Sequence, residues 1–447
     1  MSDNIVLKKG LDVPVCGAAD LLVNKSIMPS LLSVEPTCFK GFSPRLLVRE
    51  GDRVLCGSPV ICDKQNPGIL LCSPASGTVK NISRGEKRKL LAVVIEPDTV
   101  QEYVDRKPCN PSGCTAEQIR EILLSSGLWL QLVQRPYGIV ASPSASPKAI
   151  FVSSFSSAPL AADSEFCLGN ELAALQAGVN ALARIAPVHI SSRPESVFAK
   201  LENAAHHFFS GPHPAGNVGV QISHISPIRK GEVVWTVSLE GLAAIGRLFL
   251  SGRYDLRRKI AVCGPMAVEP SYASVLPGTP VKEFKAWYGT AAEEIRFVSG
   301  DLLSGRNVGE DGCIGFYDNQ LSLIREGREK EYFGWIRPLR LNQFSTDHSY
   351  FNWILPRRKY SMDTNIHGGK RAFLVNDAYY AKMLPMDIYP IYLVKACLAK
   401  DIDKMEKFGI YEVLPEDLAL CEFADPSKND IQDIIASGID LMLKEMA

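Results

Sequence analysis

Residues 29–100 carry their apolar positions in short runs separated by turn residues, the pattern of short strands at close spacing. Arg45-Leu46-Leu47-Val48-Arg49-Glu50-Gly51-Asp52-Arg53-Val54 sets a turn at Glu-Gly-Asp between two β-rich runs. From residue 103 the period lengthens. Residues 116–126 predict an amphipathic helix, with Thr115 as N-cap and Glu117 in the first turn. Residues 141–147 are loop-like by composition. They are followed by an apolar strand at 149–155, a helix at 170–185, strands at 188–190 and 217–222, and a strand then a helix over 233–250. Such alternation over 103–255 predicts a parallel, Rossmann-like sheet. Residues 256–330 change pattern again, and from 361 onward helices dominate: 377–384, 389–399, 402–408, 416–421 and 431–444. The expected fold is α+β and multi-domain, divided as 1–102, 103–255, 256–330 and 331–447.

Two stretches resemble small known folds. V-x-E-G-D-x-V-x-x-G-x-x-V from Val48 to Val60, then Ser73-Pro74-Ala75-Ser76-Gly77-Thr78-Val79, resembles the barrel-sandwich hybrid of biotinyl and lipoyl domains. Lys64 sits near the hairpin tip where carrier domains bear their prosthetic group. Its flanks match neither carrier signature, so it reads as a surface Lys on a structural barrel. Val262-x-Gly264 through Val268-x-Pro270, then Pro277-Gly278-Thr279-Pro280-Val281, resembles a soluble-ligand-binding (SLBB-like) β-grasp fold.

A chain of 447 residues exceeds one hydrophobic core. Lys+Arg and Asp+Glu both number 49, so no basic excess exists to neutralise a nucleic-acid backbone. No apolar run approaches the roughly 18–20 residues that span a bilayer, and the N-terminus has no secretory pattern. The 12 Cys are scattered without a C-x-x-C, which predicts free thiols in a reducing compartment. No G-x-G-x-x-G or P-loop opens a helix after a strand. Phe155-Ser156-Ser157-Ala158-Pro159-Leu160 stands where a phosphate-gripping turn would lie, which argues against dinucleotide or FMN binding there.

Near the C-terminus the chain keeps the outline of a ferredoxin-type run, in which C-x2-C-x2-C-x3-C-P delivers thiolates to iron–sulfur clusters. Its four positions here are Pro415, Leu418, Cys421 and Asp425, closed by Pro426. One thiol cannot hold a 4Fe–4S cluster. Asp425 is expected instead to cap the following helix.

Barrel-sandwich hybrid, Rossmann-like domain, β-grasp domain and helical tail recur together in electron-transfer subunits. The C subunit of the Rnf complex shares this layout, and the flavin subunit of complex I shares part of it. Within that group the chain resembles the A-subunit family of bacterial Na+-translocating NADH:quinone oxidoreductases. Lys8-Lys9-Gly10-Leu11-Asp12-Val13-Pro14, Ser126-Gly127-Leu128-Trp129, Arg135-Pro136-Tyr137 and Gly211-Pro212-His213-Pro214-Ala215-Gly216-Asn217-Val218-Gly219 carry the likeness. Arg325-Glu326-Gly327-Arg328 leading to Phe333-Gly334-Trp335, Met383-Leu384-Pro385-Met386-Asp387 and Glu416 to Cys421 extend it. The resemblance implies a peripheral subunit on the cytoplasmic face of the bacterial inner membrane. Its complex would oxidise NADH, reduce ubiquinone or menaquinone and export Na+. FMN, FAD, riboflavin and the iron–sulfur centre would belong to other subunits. This chain would bear no cofactor or metal of its own, would meet the membrane-embedded B subunit, and would support assembly and a share of the quinone site.

By the same resemblance, a quinone ring lies against Trp129 or Tyr137 with Arg135 polarising a carbonyl. The alternative is a core aromatic pair and a surface Arg. His213, near Asn217, either packs within an irregular loop or meets a quinone carbonyl and relays a proton. Arg357-Arg358-Lys359 is a short basic run that reads as a solvated loop or a contact with anionic lipid. Two further functions fit the sequence: a flavin- or NADH-binding oxidoreductase subunit in its own right, and a pure assembly scaffold.

Overall fold

The computed structural model describes residues 3–289, 294–329, 331, 334, 340–346, 350–366 and 377–445. Phe333 and Trp335 lie outside the described residues. Two small antiparallel sheets face each other between residues 32 and 97. One orders Leu32–Val34, Leu90–Pro97, Gly77–Arg84 and Arg53–Val54; the other orders Pro44–Leu46, Pro59–Asp63 and Leu70–Cys72. Alternate side chains, among them Val60, Leu71, Val79, Val93 and Ile95, are buried in the core they share. This is a barrel-sandwich geometry, and Lys64 is exposed on the loop after Pro59–Asp63.

Residues before the barrel serve the two larger sheets instead. Asp3–Val6 runs parallel to Ala205–Ser210 at one edge of a seven-stranded sheet. Val23–Ser26 pairs in parallel with Ser271–Val275 at the edge of a six-stranded one.

The seven-stranded sheet orders Asp3–Val6, Ala205–Ser210, Val188–Ser192, Ile150–Ser153, Val234–Thr236, Val133–Arg135 and Ile139–Val140. Its first five strands are parallel, as the alternating pattern predicts. The last two pairings are antiparallel, with Val133–Arg135 running against both its neighbours, a departure from the expected parallel sheet. Pro136-Tyr137-Gly138 reverses the chain, with positive φ at Tyr137 and Gly138. A parallel return needs a crossover of a dozen or more residues, so a link this short can only make a hairpin.

A second correction concerns residues 217–222, which form the start of a helix, Val218–Ile225, and not a strand. Val218, Val220 and Ile222 alternate as in a strand. In the fold, Val218, Ile222 and Ile225 lie on one helical face against Phe151 and Val234. The strand of this region is Ala205–Ser210, whose polar His206-His207 masked it.

The six-stranded sheet places Arg258–Cys263 parallel to Gln320–Arg325 at its centre, flanked by antiparallel Ser271–Val275 and Ile295–Ser299. The tail then packs Leu418, Leu420, Ile431, Ile435 and Ile439 into one core with Leu7, Tyr137, Phe209 and Val220. Helix Ala419–Ala424 packs on its neighbours in the tail, and its Ala419 faces the loops that follow the strands of the seven-stranded sheet. Asp425 does not cap the helix Ile431–Glu445, contrary to expectation. It ends Ala419–Ala424 and binds the turn beyond: Oδ1 accepts from Ser427 N, and Oδ2 from Asn429 N and Nδ2.

Candidate functional site

In the parallel part of the seven-stranded sheet the order of connection reverses at Ile150–Ser153, with Val188–Ser192 on one side and Val234–Thr236 on the other. Open α/β sheets bind ligands outside the carboxyl ends of their strands at such a point. The loop after Ile150–Ser153 supplies Ser156 and Ala158 there, and the loop after Ala205–Ser210 supplies His213 and Asn217. Asp301, Leu303 and Ser304 from the six-stranded sheet and Glu416 and Ala419 from the tail close a cavity of about 130 Å³. Three parts of the chain therefore meet around one polar space.

His213 is held from both sides. Its backbone N donates to Asp12 Oδ1 (2.9 Å), and its carbonyl accepts from Leu11 N (2.8 Å). The N-terminal Gly10-Leu11-Asp12 segment is thus the clamp of the His213 loop. On the ring, Nδ1 lies 3.1 Å from Ser157 Oγ, which accepts from Gly216 N at 2.8 Å. Donation of the Ser157 hydroxyl proton to Nδ1 gives every group in this chain of bonds a partner. With that donation the neutral ring carries its proton on Nε2. Nε2 is buried and has no partner among the described residues, and the ring lines the cavity. Burial pushes the His213 pKa down, opposed by Asp301, Asp12 and Asp417, so the uncharged donor is the favoured form.

Arg135 does not line the cavity but holds its Glu416 wall. It is 2% exposed, and its Nη1 donates to Asp417 Oδ2 and its Nη2 to Glu416 Oε1, both at 2.9 Å. Burial works against the guanidinium charge, but Asp417 and Glu416 outweigh it and raise the Arg135 pKa. Asp417, fully buried, also accepts Leu414 N at 3.0 Å, which fixes the turn Pro415–Leu418. Burial raises the pKa of Glu416, Arg135 lowers it and Asp417 raises it again. Asn217 Nδ2 donates to the Glu416 carbonyl at 3.1 Å, so the start of helix Val218–Ile225 is tied to the tail. Gly219 makes this approach feasible, because a Cβ there would overlap Asp417 Oδ2 and Arg135 Nη1.

The chain matches two family models: the NqrA N-terminal barrel-sandwich hybrid domain over residues 5–98 and the NqrA second alpha/beta domain over residues 114–254. The A subunit of the Na(+)-translocating NADH-quinone reductase of Serratia proteamaculans is 34% identical over 440 residues, covering 96% of this chain and 97% of that one. Its counterpart in Yersinia pestis is 35% identical over 441 residues, with the same coverage. The counterpart in Pasteurella multocida is 33% identical over 454 residues, covering 99% and 100%. The chain belongs to this A-subunit family. A solved NAD+-reducing NiFe-hydrogenase chain overlays 50% of it at 13% identity with a TM-score of 0.33, too low for any argument.

In this member of the A-subunit family, the fold brings Arg135, His213 and Asn217 into one constellation through Glu416 and Asp417. Tyr137 turns away from the cavity, its ring edge-on to Tyr411 at 6.2 Å. Trp129 lies elsewhere, fully buried against Trp235 at 5.4 Å with Nε1 donating to Ala141 O at 2.7 Å. The sequence gives no notice of Ser157 or Asp301 as site residues. Asp12, Glu416 and Asp417 fall within segments that carry the resemblance, but nothing local assigns them a role. An iron–sulfur cluster does not fit the tail motif: Pro415 and Leu418 offer no donor, Cys421 is the one thiol, and both Asp425 oxygens are engaged by the backbone of its own turn.

Proposed function

We propose that this chain is the A subunit of a Na+-translocating NADH–quinone reductase, a complex that oxidises NADH and reduces ubiquinone or menaquinone while exporting Na+. In this reading it sits peripherally on the cytoplasmic side, carries no flavin or cluster of its own and docks on the membrane-embedded B subunit. Its middle is a Rossmann-like unit without a phosphate turn, followed by a β-grasp unit. The observation that carries the reading is identity of 33–35% along essentially the whole chain to proteins of that name.

The His213 cavity is the proposed contribution to the quinone site. An engineered apolar cavity of about 150 Å³ takes benzene, so about 130 Å³ admits the carbonyl edge of a quinone ring and not the whole substituted headgroup. Nε2–H of His213 would donate to a ring carbonyl, which satisfies a buried donor that has no partner among the described residues. Arg135 acts by holding Glu416 and Asp417 in place and not by touching the carbonyl.

The complex purified through a tag on this chain should carry Na+-stimulated NADH:quinone reductase activity. A chain that purifies alone, from membranes that hold that activity elsewhere, would overturn the subunit reading. Within the complex, His213→Leu should raise the quinone KM about tenfold, the cost of one hydrogen bond to a buried partner at 1.4 kcal/mol. His213→Gln, which keeps a donor, should recover part of it, and NADH oxidation by an artificial acceptor should not change. Equal quinone KM in all three proteins would remove the cavity from the quinone site.

A further inference from the structure

Seven consecutive residues, Trp353-Ile354-Leu355-Pro356-Arg357-Arg358-Lys359, are all exposed. Trp353 and Ile354 are each 55% exposed and Leu355 40%, whereas Trp129, Trp235 and Trp287 are at most 1% exposed. The segment is anchored at both ends. Asn352 is buried and donates through Nδ2 to Ser345 O at 3.2 Å. Tyr360 is buried, donates through its backbone N to Pro14 O at 2.7 Å and accepts from Cys16 N at 3.0 Å. A fixed loop thus presents three apolar side chains beside three cations. Arg358 donates to Asn342 Oδ1 at 2.7 Å and stands over the Tyr360 ring; Arg357 and Lys359 have no acidic partner among the described residues.

We infer that this loop docks on the surface of an anionic lipid bilayer. Trp is the residue type most at home at the headgroup level, where its ring is half apolar and half wet. Trp353, Ile354 and Leu355 would enter the boundary between headgroups and acyl chains, while Arg357, Arg358 and Lys359 meet lipid phosphates. The charge match is local: the chain balances 49 cations with 49 carboxylates, yet these seven residues contain no carboxylate. No helix among the described residues is long and apolar enough to cross a membrane, so contact of these elements with lipid has to be made from the surface. The inference rests on the reading of the chain as a subunit of a membrane complex, and adds to it the face that is turned to the lipid.

The test uses the full-length chain with vesicles of mixed phosphatidylcholine and phosphatidylglycerol, and with vesicles of phosphatidylcholine alone. Binding is expected only to the anionic vesicles. Brominated lipid should quench tryptophan emission there, and Trp353→Phe should reduce the quench. Each neutralised cation should lower partitioning about fivefold, so Arg357→Gln with Lys359→Gln should lower it about 25-fold. Absent binding, or binding and quenching that ignore these variants, would overturn the inference. A chain that fails to bind vesicles but still co-purifies with its complex would overturn the lipid face alone. A Trp353→Ser chain that loses the complex without any vesicle binding would assign the loop to a protein neighbour instead.

Discussion

At the scale of single residues, Arg135 sets the energetics of the site. A buried guanidinium is tolerated because two carboxylates meet its fork at 2.9 Å each, and one of them, Asp417, is itself fully buried. Removing one partner strands the other, so Arg135→Ala or Asp417→Ala should each cost about 3–5 kcal/mol in denaturant unfolding. Arg135→Met with Asp417→Leu should cost less than the sum of the two, since the buried pair leaves no stranded member. Additive losses would mean that the pair does not couple. His213 adds a pH dependence. Its folded pKa lies below the unfolded value of about 6.5. As pH falls through that value the unfolded chain binds a proton that the folded chain refuses, so stability is full above it and declines below it. His213→Gln should flatten this acid-side fall in thermal melts below about pH 6.5; an unchanged slope would assign the titration to another group. Arg135 could be picked out through the family resemblance, and His213 through the Pro/Gly-rich loop that carries it. Their partners could not: Asp417 is 282 positions from Arg135, and Asp12 is 201 from His213.

At the scale of elements, a local capping signal succeeded at Ala116–Ser126 and failed at Asp425, whose carboxylate binds its own turn and not the next helix. Thr115 and Gln118 form a reciprocal capping box on Ala116–Ser126, which Gly127 ends in a left-handed conformation. Thr115→Ala should lower stability by about 1 kcal/mol. Helix Val218–Ile225 was illegible for the opposite reason. Its length is two turns, its apolar residues fit period two as well as period 3.6, and tertiary packing on Phe151 and Val234 decides between them. The same helix shows why its Gly219 is where it is. Gly219→Ala would push a methyl group between Arg135 and Asp417 and should cost about 1–3 kcal/mol by overpacking, although Ala is the better helix former. A stabilised Gly219→Ala protein would show that the pair has room to move. The antiparallel hairpin at Val133–Arg135 follows from a link of three residues, a constraint of length that residue type alone does not convey.

At the scale of the whole molecule, the chain is sewn together by segments that leave their neighbours in sequence. Asp3–Val6 and Val23–Ser26 complete two different sheets before the barrel begins, and the tail shares a core with Leu7, Phe209 and Val220. Turn spacing and helix periodicity revealed the barrel and the tail, but no local pattern reveals which sheet an isolated four-residue strand will join. The positions of the tail's cluster-like outline serve packing: Leu418 and Cys421 are core residues, and Glu416 and Asp417 beside them line or brace the cavity. The redox-protein architecture thus keeps a ligand-sized space at the carboxyl ends of its parallel strands, with no motif for a phosphate or a cluster beside it. The most direct measurement is to crosslink a photoreactive quinone in the intact complex and sequence the labelled peptides of this chain. Label within 211–218, 301–304 or 416–419, competed away by unmodified quinone, is the predicted result. Label that falls elsewhere in this chain, or on other subunits alone, would contradict it.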